Sequence, residues 1–186
     1  MAWQDFPQYG ISVKNMIFQN SCFPCSLHMI LRNLDKSRFA PSDEFETMWN
    51  TFQQESTGKS LDEMGVLTEE IEIFLDKTPM EGFTWTVFRP ADDSQATLDQ
   101  ANNLLNEYEG VIIGVGHATI ILKSQKGYTH YLTSKLIEED YISPDTAVTA
   151  QLIKADAGDE VAVRFDGVNN HDFMAVGTVA AFIKRV

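Results

Sequence analysis

Gln19-Asn20-Ser21-Cys22-Phe23-Pro24-Cys25-Ser26-Leu27-His28-Met29-Ile30-Leu31 is the stretch on which the reading of this chain turns. Ser21 is a good helix N-cap, and Pro24 is tolerated only in a first helical turn, where its missing N–H costs nothing. Leu27, Ile30, Leu31 and Leu34 then recur at i, i+3, i+4 and i+7, the spacing of an amphipathic helix that buries one side. The pattern predicts a helix that starts at about Cys22 and places the thiol at its positive end. A thiol there is biased toward thiolate, and a thiolate nucleophile needs a base. Of the four histidines in the chain, His117 sits where a base would be useful.

The remainder is expected to form one domain over residues 1–186, long enough to bury a core, with 44% hydrophobic residues arguing against disorder. Val111–Leu122, an extended apolar run, is broken by Gly114, Gly116 and His117 and falls short of a membrane span. Met1-Ala2-Trp3-Gln4-Asp5 has neither a basic region nor an apolar core, so the expected location is cytoplasmic, or reached without a classical signal peptide. The formal net charge is −13, from 27 acidic and 14 basic residues, and no basic stripe is present to bind nucleic acid. The acidic clusters Asp43–Glu55, Glu63–Asp76 and Glu138–Asp159 read as solvated surface, with a docking face for a basic protein partner as the sharper alternative. The two cysteines make neither a disulfide framework nor a zinc site, and no cofactor motif is present.

Helical spacing continues after Pro41-Ser42-Asp43-Glu44, with Phe45, Met48, Trp49 and Phe52 on one face. Ser60-Leu61-Asp62-Glu63 opens a third segment, in which Leu67, Ile71 and Leu75 share a face. Phe83–Phe88 alternates and is aromatic and β-branched, so it reads as a strand, and Asp93–Tyr108 returns to helical spacing. Ile11–Phe18 reads as extended. From Gly110 the pattern is strand: Val111–Val115, Ala118–Leu122, Tyr128–Thr133, Glu160–Phe165 and Met174–Ile183, with Lys123–Gly127 as a hairpin loop. The expected architecture is α+β, with an N-terminal helical lobe and a C-terminal antiparallel sheet behind it.

A thiolate needs a partner that takes its proton and later protonates a leaving group, and histidine does this best near neutral pH. His117, in Gly114-Val115-Gly116-His117-Ala118-Thr119-Ile120-Ile121-Leu122, opens an apolar strand and could project into a cleft; a lone histidine there is also a common structural residue. The two sites together resemble a family. Cys22-x-Pro24-x-Ser26-Leu27-x-Met29-x-Leu31 is similar to the nucleophile segment of C39-like cysteine peptidases of the papain-like superfamily. Gly116-His117-Ala118-Thr119-Ile120-Ile121 resembles their histidine strand, and Gly127-Tyr128-Thr129-His130-Tyr131-Leu132 the strand after it. The resemblance covers roughly Phe18–Leu34 and Gly110–Lys135. It implies a papain-like fold and a peptidase or amidase acting on a peptide or amide substrate, with Cys22 as nucleophile and His117 as base.

The chain departs from that family in three places. Phe23 follows the nucleophile where the family has glycine. Gln19, the oxyanion candidate together with Asn20, lies only three residues before Cys22. Thr133-Ser134 occupies the place of the acid that orients the imidazole, so either Ser134 or Thr133 serves, or Asp140 or Asp166 comes from elsewhere, or the enzyme is degenerate.

Three other readings stand beside this one. Cys22-Phe23-Pro24-Cys25 resembles a thioredoxin-like redox motif, with Thr78-Pro79 as an opposing proline, although the polar Lys14, Asn15 and Gln19-Asn20-Ser21 do not make the buried strand that should precede it. The histidine strand also resembles that of NlpC/P60-type peptidoglycan amidases, and an acyl transferase would use the same parts. A papain-like fold kept as a non-catalytic binding or structural protein is the third. Trp49 and Phe52 read as helix packing or as groove lining. A hydrolase should keep nearly full turnover in Cys25→Ser and lose it in Cys22→Ser. A thioredoxin-like protein should lose turnover in both, so robust insulin reduction by the wild type would overturn the hydrolase reading.

Overall fold

The computed structural model describes residues 3–7, 10–115, 117–123, 129–133, 150–153, 172–175 and 177–186; residues 115, 117, 129–133, 150–153 and 172–175 are described by their backbone. Strands β1 (Trp3–Phe6) and β2 (Ile11–Lys14) form an antiparallel hairpin, closed near Gly10 at φ +70°. Helices α1 (Cys22–Leu34), α2 (Glu44–Thr57) and α3 (Ile71–Lys77) follow, then β3 (Phe83–Phe88), α4 (Gln95–Glu107), β4 (Gly110–Val115), β5 (His117–Lys123) and β6 (Thr129–Thr133). β7 (Ala150–Ile153), β8 (Asp172–Ala175) and β9 (Val179–Arg185) complete the described elements. The main sheet has the order β3-β9-β4-β5-β6, and every pairing in it is antiparallel. The α+β class is therefore as expected.

α1 starts at Cys22 as its spacing predicts, but it does not bury only one side. Every residue from Phe23 to Leu34 except Arg32 is buried. Three elements surround it. The β1–β2 hairpin lies along one side, where the Asn33 amide both accepts from Ser12 N–H and donates to Ser12 C=O, each at 2.7 Å, as a neighbouring strand would. α2 covers a second side. The sheet covers a third through Ile112, Ala118, Ile120 and Leu122. β4 begins close enough to the helix that a Cβ on Gly110 would lie 2.8 Å from Ile30, so only glycine fits there without displacement.

Nor does the sheet simply lie behind a helical lobe. It is covered on both faces: Ile112, Ile120, Leu122, Ala181 and Ile183 face α1, while Val111, Ile113, Ile121, Ala180 and Phe182 pack with Ala101 and Leu105 of α4. Burial on both faces explains why β4, β5 and β9 read as continuous apolar runs instead of alternating ones. β3, from the first half of the chain, pairs with β9 at the C-terminal end, Phe83 opposite Arg185.

Other local expectations are corrected. The extended stretch from Ile11 ends at Lys14. The segment from Ser60 turns at residues 61–63 and becomes α-helical only at Ile71; Ile71 and Leu75 are buried, but Leu67 is exposed. Met174–Ile183 is not one strand, since β8 ends at Ala175 and β9 starts at Val179 beyond Gly177 at φ +90°. β7 and β8 pair in parallel, which the antiparallel expectation did not include. Glu160–Phe165 and most of the Lys123–Gly127 loop lie outside the described residues. Among the described residues, no helix is long and apolar enough to cross a membrane.

Trp49 is wholly buried, so it packs the core and lines no groove. It stacks on Phe23 at 5.7 Å, meets Phe74 edge-on at 5.2 Å and donates its indole N–H to Thr78 Oγ1 at 2.9 Å. Phe23, unlike a glycine at that position, thereby anchors the first turn of α1 to α2 and α3.

His28, fully buried in the middle of α1, lies against Trp3 and Phe45 with ring separations of 5.0 and 4.6 Å and places Nε2 3.0 Å from Ala40 C=O. Burial pulls its pKa down to about 4, against a weaker opposing effect of the bond to Ala40. The unfolded chain takes up this proton near the ordinary histidine value of 6.5, whereas the folded protein takes it up only near 4. Stability from this group is thus complete above pH 6.5 and falls as pH drops toward 4, by about 3 kcal/mol in all. Urea unfolding at pH 7 and pH 4.5 should give a steeper loss for the wild type than for His28→Phe. Parallel losses would refute the assignment.

Candidate active site

The site is built where the loop 15–21 meets α1. Pro24 occupies the first turn of the helix, and the first i−4 bond runs from Cys25 N–H to Ser21 C=O at 3.0 Å. The first turn contains no acidic residue to offset its positive end. Ser21 stands at the N-cap position but makes no capping bond. Its hydroxyl accepts from Phe18 N–H at 3.1 Å and donates to the Glu46 carboxylate at 2.5 Å.

Cys22 is half-buried and lines a cleft of about 240 Å³. Gln19, Asn20, Gly65 and Val66 contribute on one side, and Gly114, Ala118 and Val179 of the sheet on the other. The Ala118 N–H donates to Cys22 Sγ at 3.4 Å, across 96 residues of sequence. The thiol therefore sits against the start of β5, whose first residue is His117. An N–H aimed at sulfur favours the anionic form over the neutral one. Sequence reasoning missed this donor, because a backbone amide carries no residue signature.

Gln19 is exposed and lines the cleft, and the Asn20 amide donates to Asp62 C=O at 3.2 Å. The loop is tied further by Gln19 N–H to Asp62 Oδ1 and Asn20 N–H to Leu61 C=O, both 3.0 Å. Of the orienting candidates, Thr133 is placed by its backbone opposite Thr119, and Ser134, Asp140 and Asp166 lie outside the described residues. His171 lies outside them as well, and His130 is placed by its backbone opposite Leu122. Among the described residues no His, Cys, Asp and Glu side chains group in a way that could hold a metal ion.

Cys25 is a different kind of thiol. It is completely buried, forms no disulfide, and lies with Sγ 3.6 Å from Lys14 C=O. Burial first, then the nearby Glu46 charge, pushes its pKa well above the ordinary thiol value. The second feature missed from sequence lies beside it. Glu46, assigned by composition to an acidic solvated surface, is wholly buried and pairs with the equally buried Lys14, which also lies 2.8 Å from Asp43. Burial acts to lower the Lys14 pKa, but hydrogen bonds to Asp43 and Glu46 outweigh it and the net shift is upward, so the ammonium stays charged. The signal available was Glu46 flanked by Phe45 and Trp49 on one helix face.

Comparison with models of known protein families, with curated proteins and with solved structures finds no match. The chemistry is therefore read from the site itself. Iodoacetamide should modify Cys22 at least about tenfold faster than Cys25 in the native protein. Peptide mapping of a labelling time course measures both rates, and equal rates would exclude Cys22 as the distinctive thiol.

Proposed function

We propose that this protein is a papain-like cysteine hydrolase of C39-like type, a peptidase or amidase. Cys22 attacks the acyl carbon of a peptide or amide, and His117 takes the thiol proton. The tetrahedral oxyanion is met by the Cys22 N–H and the side chain of Gln19, since the Asn20 amide is engaged with Asp62. Collapse expels the amine, protonated by His117, and leaves a thioester. Water, deprotonated by the same histidine, then releases the acid and restores the thiol. Ser134 is the candidate to orient the imidazole in place of a carboxylate.

The observation that carries this reading is the contact of Cys22 Sγ with the Ala118 amide. It joins the helix-terminal thiol to the strand that opens with the candidate base, inside a cleft with room for an acyl group. Redox cycling with Cys25 is less well supported. Residues 15–21 form a loop before the motif, and the main sheet is antiparallel, so the motif does not follow a buried parallel strand.

An activity-based probe with an acyl electrophile tests the proposal. The wild type should be labelled at Cys22, Cys22→Ala should not be labelled, and His117→Ala should react about 10²–10⁴-fold more slowly. Labelling that survives His117→Ala at the wild-type rate would identify only an exposed thiol, and the non-catalytic reading would replace this one.

A further inference from the structure

One face of α2 carries a polar stripe that packs inward. Glu46, Asn50 and Gln53 lie at i, i+4 and i+7, and Glu46 and Gln53 are completely buried. Each reaches a segment beside the cleft. Glu46 Oε1 pairs with Lys14 at the end of β2, while Oε2 accepts Ile17 N–H at 2.6 Å and the Ser21 hydroxyl at 2.5 Å. Asn50 Oδ1 accepts Leu61 N–H at 2.7 Å, and Leu61 C=O in turn accepts Asn20 N–H. Gln53 Nε2 donates to Gly65 C=O at 3.0 Å, on the same wall of the cleft as Asn20.

From this arrangement we infer that Glu46 is a positioning residue, whose carboxylate holds the middle and end of the loop 15–21, and Lys14 just before it, and thereby sets where Gln19, Asn20 and the Cys22 N–H stand. A single carboxylate does this because both of its oxygens accept. Oε1 meets the Lys14 ammonium, and Oε2 meets two donors of the loop. An amide at the same position offers only one acceptor oxygen. Glu46→Gln must therefore release either the loop or Lys14, whose buried charge then keeps only the partly exposed Asp43 as counter-charge. The assignment rests on the proposed hydrolase chemistry only for its consequence on labelling; the loop's dependence on Glu46 stands apart from it.

Hydrogen exchange and labelling on the full chain test the two parts. In Glu46→Gln, amides of residues 15–21 should exchange about tenfold faster or more, while 27–34 of α1 and 179–185 of β9 keep wild-type protection. Unchanged exchange in 15–21, or loss of protection spread over all three segments, would overturn the inference. If Glu46→Gln does not fold, Ser21→Ala carries the same comparison with the Phe18 amide left out, since it leaves the ion pair intact and removes the loop's contact with Glu46 along with the Phe18 bond to the same hydroxyl. Wild-type protection of 15–21 in that variant would overturn it too. In the folded variant the acyl probe should react about tenfold more slowly or worse, with iodoacetamide alkylation of Cys22 held within about threefold. Equal slowing of both reagents would overturn positioning of the loop. A wild type that the acyl probe does not label would end the hydrolase reading, and the exchange comparison would still decide the role of Glu46.

Discussion

The buried Lys14–Glu46 pair is the constraint around which the N-terminal half is organised. Two opposite charges with essentially no solvent exposure persist only when their remaining hydrogen-bonding capacity is filled. Here it is filled by the chain around the site. Lys14 also reaches Asp43 and Asn15 C=O, and Glu46 accepts from Ile17 and Ser21. The satisfaction of the pair and the conformation of the loop are therefore one requirement. Removing one partner of such a pair costs about 3–5 kcal/mol, because the other charge stays buried. That cost would be felt next to Cys22, since Ser21 is both a ligand of Glu46 and the residue before the thiol.

The same logic fixes the support on which the Cys22 thiol stands. α1 is enclosed by the hairpin, α2 and the sheet. Phe23 and Cys25, the buried neighbours of Cys22, fasten the first turn from within. Phe23 stacks on Trp49, and Cys25 lies against Lys14 C=O. Cys22 lines the cleft together with Phe23, but of the two only Cys22 is not buried. Two thiols one helical turn apart thus have different environments: one is half-exposed beside a backbone donor, and the other is sealed in the core and held protonated.

Much of this was legible in the residues. Ser21, Pro24 and the Leu27–Leu34 spacing placed the start of α1 at Cys22, because a proline in a helix has one comfortable place. Alternation and β-branching placed β3, and apolar runs broken by glycine placed β4 and β5. The failures have physical causes. Helical periodicity reports the most apolar face only, so the burial of Ser26, His28 and Asn33 on the others was invisible; Asn33 is buried because it completes the bonding of Ser12, a residue distant in sequence. The tight Leu61–Glu63 turn ended a pattern that apolar spacing alone would have continued to Leu67.

Local preference by itself determined where the helix begins, that a thiol stands at its positive end, that Cys25 follows one turn later, and that His117 opens an apolar strand. These follow from backbone sterics and side-chain periodicity within a few residues. Tertiary structure alone decided that β5 meets Cys22, that the Ala118 amide points at the sulfur, and that Glu46 belongs to the interior and not to the acidic surface. A charged residue reads as exposed until its counter-charge is located, and Lys14 lies 32 residues away. Burial of an ion pair depends on both partners arriving at one place, and that is a property of the fold, not of either segment.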